Sequence, residues 1–233
     1  TLNLTYRMRT QFTDVSQFAS GLVLNNYNSL FSGSPELQSA LSHNINLSYY
    51  SFNMFNYTNV FANINYNKSI DNIRTVSVFN PGSVIRVSTP FNSNFADESL
   101  TASGRYQRTF GKLRGSVRAN LNYSKFNQFI QNRRSINESF SQTYTAQLRT
   151  NFRTAPNVDL SYRHTIQDNN LGANATKFFT KSPSIEIDAL FLKSFTFRTD
   201  YSYNDFSDEQ SSINTYEFWN ASLSYRKDED SKF

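Results

Sequence analysis

The sequence predicts an all-β fold, an antiparallel up-and-down sheet that forms part of a transmembrane β-barrel. Apolar and polar side chains alternate over long stretches, which is the period of a strand with one apolar and one polar face. Several stretches run for about a dozen residues, whereas crossing a bilayer takes roughly 9–11 and soluble strands usually have about 5–6. Only 7 Gly and 5 Pro interrupt the 233 residues. We expect about ten such strands, as part of a larger barrel.

The first three strands are predicted before residue 71. They cover about Leu2–Thr10, Ser42–Tyr50 and Tyr57–Ile70. A long polar connection with Gly33-Ser34-Pro35 follows the first strand, and a short turn near Asn53–Asn56 follows the second. Their apolar face carries Leu2, Leu4, Tyr6, Met8, Ile45, Leu47, Tyr49, Val60, Ala62, Ile64 and Tyr66.

A long excursion separates the third strand from the fourth. Asn80-Pro81-Gly82 is a strong turn signal at its tip. We expect the flanking segments, Thr75–Phe79 and Val84–Ser88, to extend this hairpin beyond the membrane.

The next three strands show the alternation most clearly. They are predicted at about Glu98–Arg108, Leu113–Phe126 and Ser139–Phe152, with a tight turn at Phe110-Gly111-Lys112. Their apolar face carries Leu100, Ala102, Gly104, Tyr106, Leu113, Gly115, Val117, Ala119, Leu121, Tyr123, Phe140, Tyr144, Ala146, Leu148 and Phe152.

Four more strands complete the predicted set. Turns are expected at Thr154-Ala155-Pro156-Asn157 and at Lys193-Ser194. The apolar residues of these strands are Val158, Leu160, Tyr162 and Ile166, then Ile185, Ile187, Ala189 and Phe191, then Phe195, Phe197, Tyr201 and Tyr203, and finally Trp219, Ala221, Leu223 and Tyr225.

The connections are predicted to alternate in length. Those after the even-numbered strands are short, and those after the odd-numbered strands are longer and polar; one of the latter contains Arg133–Arg134. Short turns on one rim and long loops on the other are typical of bacterial outer-membrane barrels, whose short turns face the periplasm.

The apolar face is expected to meet lipid and the polar face to line the lumen. Amphipathic rings should lie at both membrane interfaces, although aromatic residues favour strands in general. Beside the short turns are Tyr49, Phe52, Phe55, Tyr57, Tyr106, Phe110, Phe152, Phe191, Phe195 and Tyr225. Near the long-loop ends are Tyr123, Phe126, Phe140, Tyr144, Tyr201, Tyr203, Phe218 and Trp219. Mid-strand positions carry Ala62, Ala102, Ala119, Ala146, Ala189 and Ala221.

The polar face is predicted to be rich in arginine. It carries Arg7, Arg9, Arg105, Arg114, Arg118, Arg149, Arg163, Arg198 and Arg226. A cross-strand charge ladder is expected from Arg163, Glu186, Asp188, Arg198 and Asp200. Such a ladder would hold the strand register across a wet lumen, or would contact a plug or a substrate.

Composition and motifs exclude several classes of protein. The absence of cysteine excludes disulfides and thiolate sites. The net charge of +5 is spread along the chain, so no nucleic-acid interface is predicted. Mean hydropathy is −0.58, and no stretch approaches the ~20 apolar residues of a transmembrane helix.

No catalytic constellation and no cofactor motif is found, so we expect no enzyme. His43 and His164 are isolated, which argues against a metal cluster. Asp205, Asp208 and Glu209 lie in one predicted loop, where a solvated surface is favoured over a calcium site. The Asn-x-Ser/Thr triplets follow from an Asn- and Ser-rich polar face, and they are not read as glycosylation sites.

Three parts of the chain carry a resemblance: Leu2–Thr10 with Val15–Gln17, Gly33–Leu37 with Ser42–Tyr49, and Phe218–Ser224. They resemble the barrel of TonB-dependent-receptor-like outer-membrane proteins. The first part is similar to an arginine-bearing strand and loop of that family. The second is similar to its GNP-L…SHNLNLSY segment, with Ser34 in place of the usual Asn, and the third to its WNASLS region.

The resemblance implies a wall of a barrel of about 22 strands, often preceded by a plug domain. It implies uptake of a nutrient or siderophore, location in the cell outer membrane, and no fixed catalytic site. The expected partners are the lipid bilayer, an energy-transducing periplasmic protein, and a surface lipoprotein or other outer-membrane proteins.

Residues 1–233 are interpreted as one partial barrel domain of a longer chain. Thr1 is not an initiator Met, alternation begins at Leu2, and the end is the charged stretch Arg226–Asp230. Phe233 is therefore not interpreted as a terminal assembly signal. The ligand-binding residues are not identified.

Two other classes stay open. One is an outer-membrane barrel that acts as a scaffold or assembly partner without transport. The other is a soluble β-sandwich or adhesin whose apolar face is a core. Burial of Leu121, Ile187 and Leu223 in a two-layer core would contradict both barrel interpretations.

Overall fold

The computed structural model describes residues 1–79, 85–130, 133–153, 156–172, 174–191 and 194–225. Over these residues the fold is all-β, as predicted, with one 3-10 helix at Val15–Gln17. The strands are β1 (Leu2–Gln11), β2 (Leu22–Asn26), β3 (Ser29–Ser32), β4 (Ala40–Asn53), β5 (Thr58–Ile70), β6 (Ile73–Phe79), β7 (Arg86–Asn92), β8 (Asp97–Phe110), β9 (Leu113–Ile130), β10 (Arg133–Thr150), β11 (Asn157–Leu171), β12 (Asn174–Phe191), β13 (Phe195–Ser207) and β14 (Ser212–Tyr225).

Ten of these strands form one antiparallel sheet in the order β1-β4-β5-β8-β9-β10-β11-β12-β13-β14. They correspond one to one to the ten predicted strands, and each pairs with the next along the chain, so the up-and-down meander is confirmed. Within the described part of the chain the sheet stays open, with β1 and β14 at its edges, and no closed barrel is formed.

The predicted short turns lie together on one rim of this sheet. β4 ends at Asn53 and β5 begins at Thr58, and two residues separate β8 from β9. The turns before β11 and before β13 lie on the same rim, although residues 154–155 and 192–193 fall outside the described residues.

This rim is staggered from strand to strand. The last pair of the β4–β5 hairpin is Asn53–Thr58. If the directly opposite residue is followed from strand to strand, the row that starts at Thr58 in β5 ends at Ile185 in β12. The last pair of the β12–β13 hairpin, Phe191–Phe195, lies six residues beyond Ile185. Six residues at ~3.4 Å, taken over five inter-strand steps of ~4.8 Å, correspond to strands tilted by about 40° from the perpendicular to the rim.

The opposite rim differs from the prediction of long loops after the fifth, seventh and ninth strands. β9 and β10 stay paired up to Ile130 and Arg133, so Arg133–Arg134 begin a strand instead of lying in a loop. β11 and β12 stay paired up to Leu171 and Asn174, and only residues 208–211 separate β13 from β14. In these extensions polar and apolar side chains no longer alternate, so the hydropathy period disappears while the backbone pairing continues.

The two longest connections on this rim form a second sheet in the order β2-β3-β7-β6. The hairpin predicted around residue 81 exists as β6 and β7, but it pairs with β3 in this sheet instead of prolonging β5 and β8. The turn Asn80-Pro81-Gly82 itself, with Val84, lies outside the described residues.

The ten-stranded sheet is a single layer over the described residues. Among the described residues, the buried apolar side chains are Leu37, Ala40, Pro90 and Ala189. Leu121 and Ile187 are half-buried and Leu223 is 67% exposed, so no two-layer core of the kind that would contradict a barrel is found in the described part of the chain.

Candidate functional site

The apolar side chains of all ten strands share one face of the sheet. Residues directly opposite each other in paired strands point to the same side. One row of the sheet joins Tyr66, Leu100, Tyr123 and Phe140 from β5 to β10. A parallel row begins with Leu4 and Leu47 and continues through Ile64. The predicted apolar face is therefore one continuous surface, which we call the apolar face.

Charged pairs border the apolar face toward the rim with the long connections. Lys68 forms an ion pair with Glu98 at 3.4 Å, and Lys125 forms one with Glu138 at 3.1 Å. These four residues occupy a single cross-strand row, one row beyond Leu100. Alternating charge thus replaces apolar side chains abruptly at this level.

Arg108 borders the same face near the short-turn rim. In β8 it lies ten residues from Glu98, and the side chains between them on this face are Leu100, Ala102, Gly104 and Tyr106. Ten residues at ~3.4 Å span about 34 Å, and at a tilt of about 40° the uncharged band is about 26 Å tall. The apolar band of outer-membrane barrels is ~25 Å tall with strands tilted ~35–45°.

Aromatic residues lie at both borders of this band. Phe195 and Tyr225 are in contact at the short-turn rim, with ring centroids 4.9 Å apart. Tyr123 and Phe140 pack edge-to-face just inside the charged row, 6.4 Å apart. Trp219 is 75% exposed on the apolar face.

Some of the predicted aromatic and small-residue positions are wrong. Phe52, Phe126 and Phe218 lie opposite Asn59, Asn137 and Ser202 on the polar face. Side chains alternate between the two faces along a strand, and each of these three residues is an odd number of positions from the rings on the apolar face of its strand. Tyr144 lies opposite Ala119, near the middle of the band. Ala189 lies two residues from the end of β12, not at mid-strand.

Within the described residues, the predicted arginines all occupy strand positions whose side chains point to the polar face. The register puts Arg105 directly opposite Arg118, and Arg114 directly opposite Arg149. Arg7 and Arg9 lie opposite Asn44 and Ser42. Arg226 lies outside the described residues.

The predicted charge ladder forms only in part. The Arg198 Nε donates to Asp188 at 2.8 Å and lies 3.5 Å from Glu186. Asp200 accepts a hydrogen bond from the Asn220 amide at 2.9 Å. Arg163 is not part of the ladder, because it lies opposite Thr145 and Ser182 and has no carboxylate of the described residues within 4 Å.

Asp159 is a member of this polar cluster that sequence reasoning missed. Its carboxylate accepts two hydrogen bonds from the Gln147 amide, at 2.9 and 2.8 Å, and lies 4.0 Å from the Arg149 Nε. Its row continues with Glu186, directly opposite on β12. The sequence does contain a signal for it: Asp159 alternates with the apolar Val158 and Leu160 of β11, which puts it on the polar face.

A shallow cavity of about 420 Å³ lies on the polar face beside the two opposed arginines. Tyr50 and Phe61 lie opposite each other in the same row, and Arg105 and Arg118 follow them. Two directly opposed cations repel, and no carboxylate of the described residues is within 4 Å of either. The cavity therefore offers positive charge next to aromatic rings, which suits an anionic or sugar-like group.

A polar junction around Asp97 connects the second sheet to the first. The Asp97 carboxylate accepts hydrogen bonds from the Asn72 amide at 2.8 Å and from the Asn127 backbone N–H at 2.8 Å. It also forms an ion pair with Arg74 of β6. Three separate segments thus converge on one carboxylate.

The junction continues into an aromatic cluster. Asn127 is 1% exposed, and its side-chain oxygen accepts a hydrogen bond from the Arg134 Nε at 2.8 Å. The guanidinium of Arg134 stacks 3.5 Å above the centroid of Phe95. Phe129 contacts Phe91 edge-to-face at 4.9 Å. This cluster has no periodic signal in the sequence because its members come from strand ends and loops.

Two aspartates outside the ten-stranded sheet cap turns. Asp14 caps the 3-10 helix. Its pKa is lowered mainly by a hydrogen bond from the Ser16 backbone N–H, and further by one from the Ser16 hydroxyl. The backbone N–H groups of Ser211 and Gln210 likewise lower the pKa of Asp208.

The three carboxylates near residue 208 make separate contacts. Asp208 uses its Oδ1 for the turn, Asp205 accepts from the Ser212 hydroxyl at 2.7 Å, and Glu209 lies 3.8 Å from Lys177. In the described ranges no group of three or more His, Cys, Asp or Glu side chains is arranged to hold a metal ion. The prediction of one loop is wrong for Asp205, which lies in β13 opposite Lys181 and Thr215; Asp208 and Glu209 lie in the turn before β14.

The two histidines are also separate. The Tyr6 hydroxyl lies 2.7 Å from the His43 Nδ1, and His164 stacks on Phe179 with centroids 6.4 Å apart. Of the residues that the structure describes, none belongs to a helix long and apolar enough to span a bilayer.

No model of a known protein family matches the sequence, and no curated protein matches it. Function is therefore inferred from the two faces of the ten-stranded sheet.

Proposed function

We propose that this chain is a wall of an outer-membrane β-barrel, the C-terminal part of a TonB-dependent transporter that takes up a nutrient or siderophore. The barrel has about 22 strands, of which the ten-stranded sheet is one arc. The short-turn rim faces the periplasm, and the second sheet lies on the extracellular side.

One observation carries the membrane part of the proposal, the height of the apolar band. The charged row at Glu98 and the cation of Arg108 enclose about 26 Å of uncharged surface. A soluble core has no reason to end in charges at both borders at this spacing, whereas a hydrocarbon layer does.

The rim stagger and the single layer support the same conclusion. A tilt of about 40° lies within the range of transmembrane barrels. An exposed apolar face of this extent needs a cover, and the described residues supply none. Acyl chains cover such a face without a second protein layer.

The polar face supports the transport part of the proposal. Arg105, Arg118, Tyr50 and Phe61 surround the cavity on the side that lines the lumen. In the proposed transporter this cavity contacts a passing anionic substrate or the plug. The energy-transducing protein acts from the short-turn side, and a surface lipoprotein docks on the extracellular side.

Lipid contact is tested at Trp219, the one tryptophan of this sequence. The protein is reconstituted into vesicles with lipids brominated at different chain depths, and its W219F variant is measured in parallel. We expect the Trp219 fluorescence, taken as the difference between the two proteins, to be quenched by brominated chains. A protein that stays in the water-soluble fraction without detergent, with no quenching, contradicts the barrel.

Transport is tested separately, by growth of a deletion strain on scarce iron or on scarce glycans. Slower growth that the wild-type gene restores supports uptake. Unchanged growth across such media, together with quenching at Trp219, favours a barrel with a scaffold or assembly role.

A further inference from the structure

A groove interrupts the apolar face near the short-turn rim. It has a volume of about 580 Å³, within the roughly 300–1,000 Å³ of ligand pockets. Gly115 and Ala146 are the smallest side chains there, and they leave room between the larger Tyr106, Leu148 and Tyr162. A Cβ atom built on Gly115 meets only the Leu148 Cδ1, at 3.9 Å, so the space above Gly115 is open.

One end of the groove carries an arginine with unused hydrogen-bonding capacity. Arg108 lies directly opposite Gly115, and its guanidinium carbon is 4.6 Å from the centroid of the Phe110 ring. Its Nε is buried without a hydrogen-bond partner among the described residues, and so is the Oγ1 of Thr58, directly opposite on β5. No carboxylate of the described chain lies within 4 Å of Arg108.

These features combine an apolar channel with an unneutralised cation at the border of the apolar band. We propose that the groove binds one phospholipid, with an acyl chain over Gly115 and the phosphate on Arg108. A guanidinium binds phosphate oxygens in a bidentate way. Arg108 itself lines the groove, so its guanidinium is placed to meet a phosphate at this end. Long cationic side chains at this level reach the headgroups of a bilayer.

This inference rests on the proposed function, because it takes the apolar face to be in contact with lipid. A second copy of the chain or another protein would need an acidic group opposite Arg108 and a ridge opposite Gly115. One phospholipid has both a phosphate for Arg108 and an acyl chain for the space over Gly115, and the surrounding bilayer already supplies such molecules.

The test compares two groove variants with two matched controls. Arg108→Gln removes the cation, and Gly115→Leu fills the open space. Arg114→Gln removes a cation of the polar face at the same rim, and Gly104→Leu adds the same side chain elsewhere on the apolar face, where a Cβ meets only the Phe61 carbonyl oxygen, at 4.0 Å. Thermal unfolding of each variant, followed by circular dichroism, checks that it is folded.

Binding is measured by native mass spectrometry of the complete protein in detergent, titrated with dioleoyl phosphatidylglycerol or with dioleoylglycerol, which lacks the phosphate. We expect wild type and both controls to retain one phosphatidylglycerol about ten-fold more tightly than R108Q does. Dioleoylglycerol should bind wild type and R108Q equally, and G115L should weaken the binding of both lipids.

Equal phosphatidylglycerol binding by wild type, R108Q and G115L overturns the lipid site. A dimer that G115L abolishes while lipid binding stays unchanged also overturns it, and assigns the groove to a second copy. Either result leaves the barrel in place if Trp219 is quenched by brominated lipid. A protein that is soluble without detergent overturns both proposals.

Discussion

At the scale of single residues, two local contacts decide how the first long connection folds. Gly33 approaches the turn that contains the 3-10 helix so closely that a Cβ would lie 2.5 Å from the Gln17 carbonyl oxygen and 2.6 Å from that of Ala19. The Ser34 N–H donates to the Gln17 carbonyl at 2.7 Å. The segments Val15–Gln17 and Gly33–Leu37 therefore meet in space.

Gly33→Ala should loosen this contact. The obstructing atoms belong to the backbone, which cannot rotate away as a side chain can, and such overpacking costs about 1–3 kcal/mol. Hydrogen exchange at the Ser34 amide should accelerate. Gly104→Ala is the matched control because its new Cβ meets nothing closer than 4.0 Å; an equal acceleration at the Ser34 amide in that variant would contradict the explanation.

Asp208 predicts a pH dependence of the β13–β14 turn. The ionised carboxylate accepts N–H bonds from Gln210 and Ser211, so its folded pKa is lower than its unfolded pKa. The stabilisation is therefore complete above the unfolded value of about 4 and is lost as pH falls through the lower folded value. NMR titration of the Gln210 and Ser211 amides should show a midpoint below 4 that is absent in Asp208→Asn. A midpoint at or above that of a free aspartate would be inconsistent with the turn geometry.

At the scale of elements, the polar junction determines how the second sheet is attached. β6 contributes Arg74, the loop before β6 contributes Asn72, and β9 contributes Asn127, and all three groups use the Asp97 carboxylate. The second sheet is therefore held on the ends of β8 and β9 by the contacts of Asn72 and Arg74 with Asp97, together with the packing of Phe91 on Phe129.

Asp97→Ala should release the second sheet without unfolding the first. It leaves donors of three residues without their acceptor, at a cost of about 1–3 kcal/mol for each buried group. Hydrogen exchange should accelerate in β6 and β7 and stay unchanged in β11 and β12. Asp200→Ala, which removes a carboxylate with one amide partner, should leave β6 and β7 as in wild type. Equal exchange in all four strands of the Asp97 variant would count against the junction.

Sequence periodicity identified the elements wherever one face is apolar. All ten strands and their shared face follow from the alternation of residues such as Leu100, Ala102 and Leu121. The extensions at residues 127–130 and 133–138 were missed because polar and apolar residues do not alternate there: Phe129 and Ile130 are consecutive, and Ile136 stands alone among polar residues. β2 was missed because Leu22, Val23 and Leu24 are consecutive, with no alternation, and all three are exposed.

The candidate sites were less predictable because they depend on register. Arg163 was expected in the ladder from its parity alone, but ion pairs need neighbours in the same or an adjacent row, and its row holds Thr145 and Ser182. The groove required knowing that Arg108 and Gly115 are opposite each other. Which residues lie opposite each other depends on two strands together, so the sequence pattern of one strand does not specify it.

At the scale of the whole molecule, the two faces place opposite demands on substitution. A charge on the apolar face lies in hydrocarbon in the proposed barrel, and the same charge one residue away lies in the wet lumen. Adjacent residues of β8 therefore provide a direct comparison.

Ala102→Arg should destabilise the protein in a bilayer by about 2–4 kcal/mol, because Ala102 lies well inside the uncharged band. Ser103→Arg points to the polar face and should cost much less. Folding free energies of both variants are measured by urea titration in phosphatidylcholine vesicles. Equal costs for the two substitutions would show that the apolar face does not meet the hydrocarbon layer.

The open edges of the ten-stranded sheet have a consequence for biogenesis. Every second residue of β1 and of β14 directs its N–H and C=O groups away from the pairing partner, and these groups have no acceptor or donor in the sheet. In hydrocarbon each unsatisfied group costs several kcal/mol, so an arc of this kind is not a viable insertion intermediate. In the proposed barrel, ring closure by neighbouring strands, or by assembly machinery that caps the seam, must therefore accompany entry into the membrane.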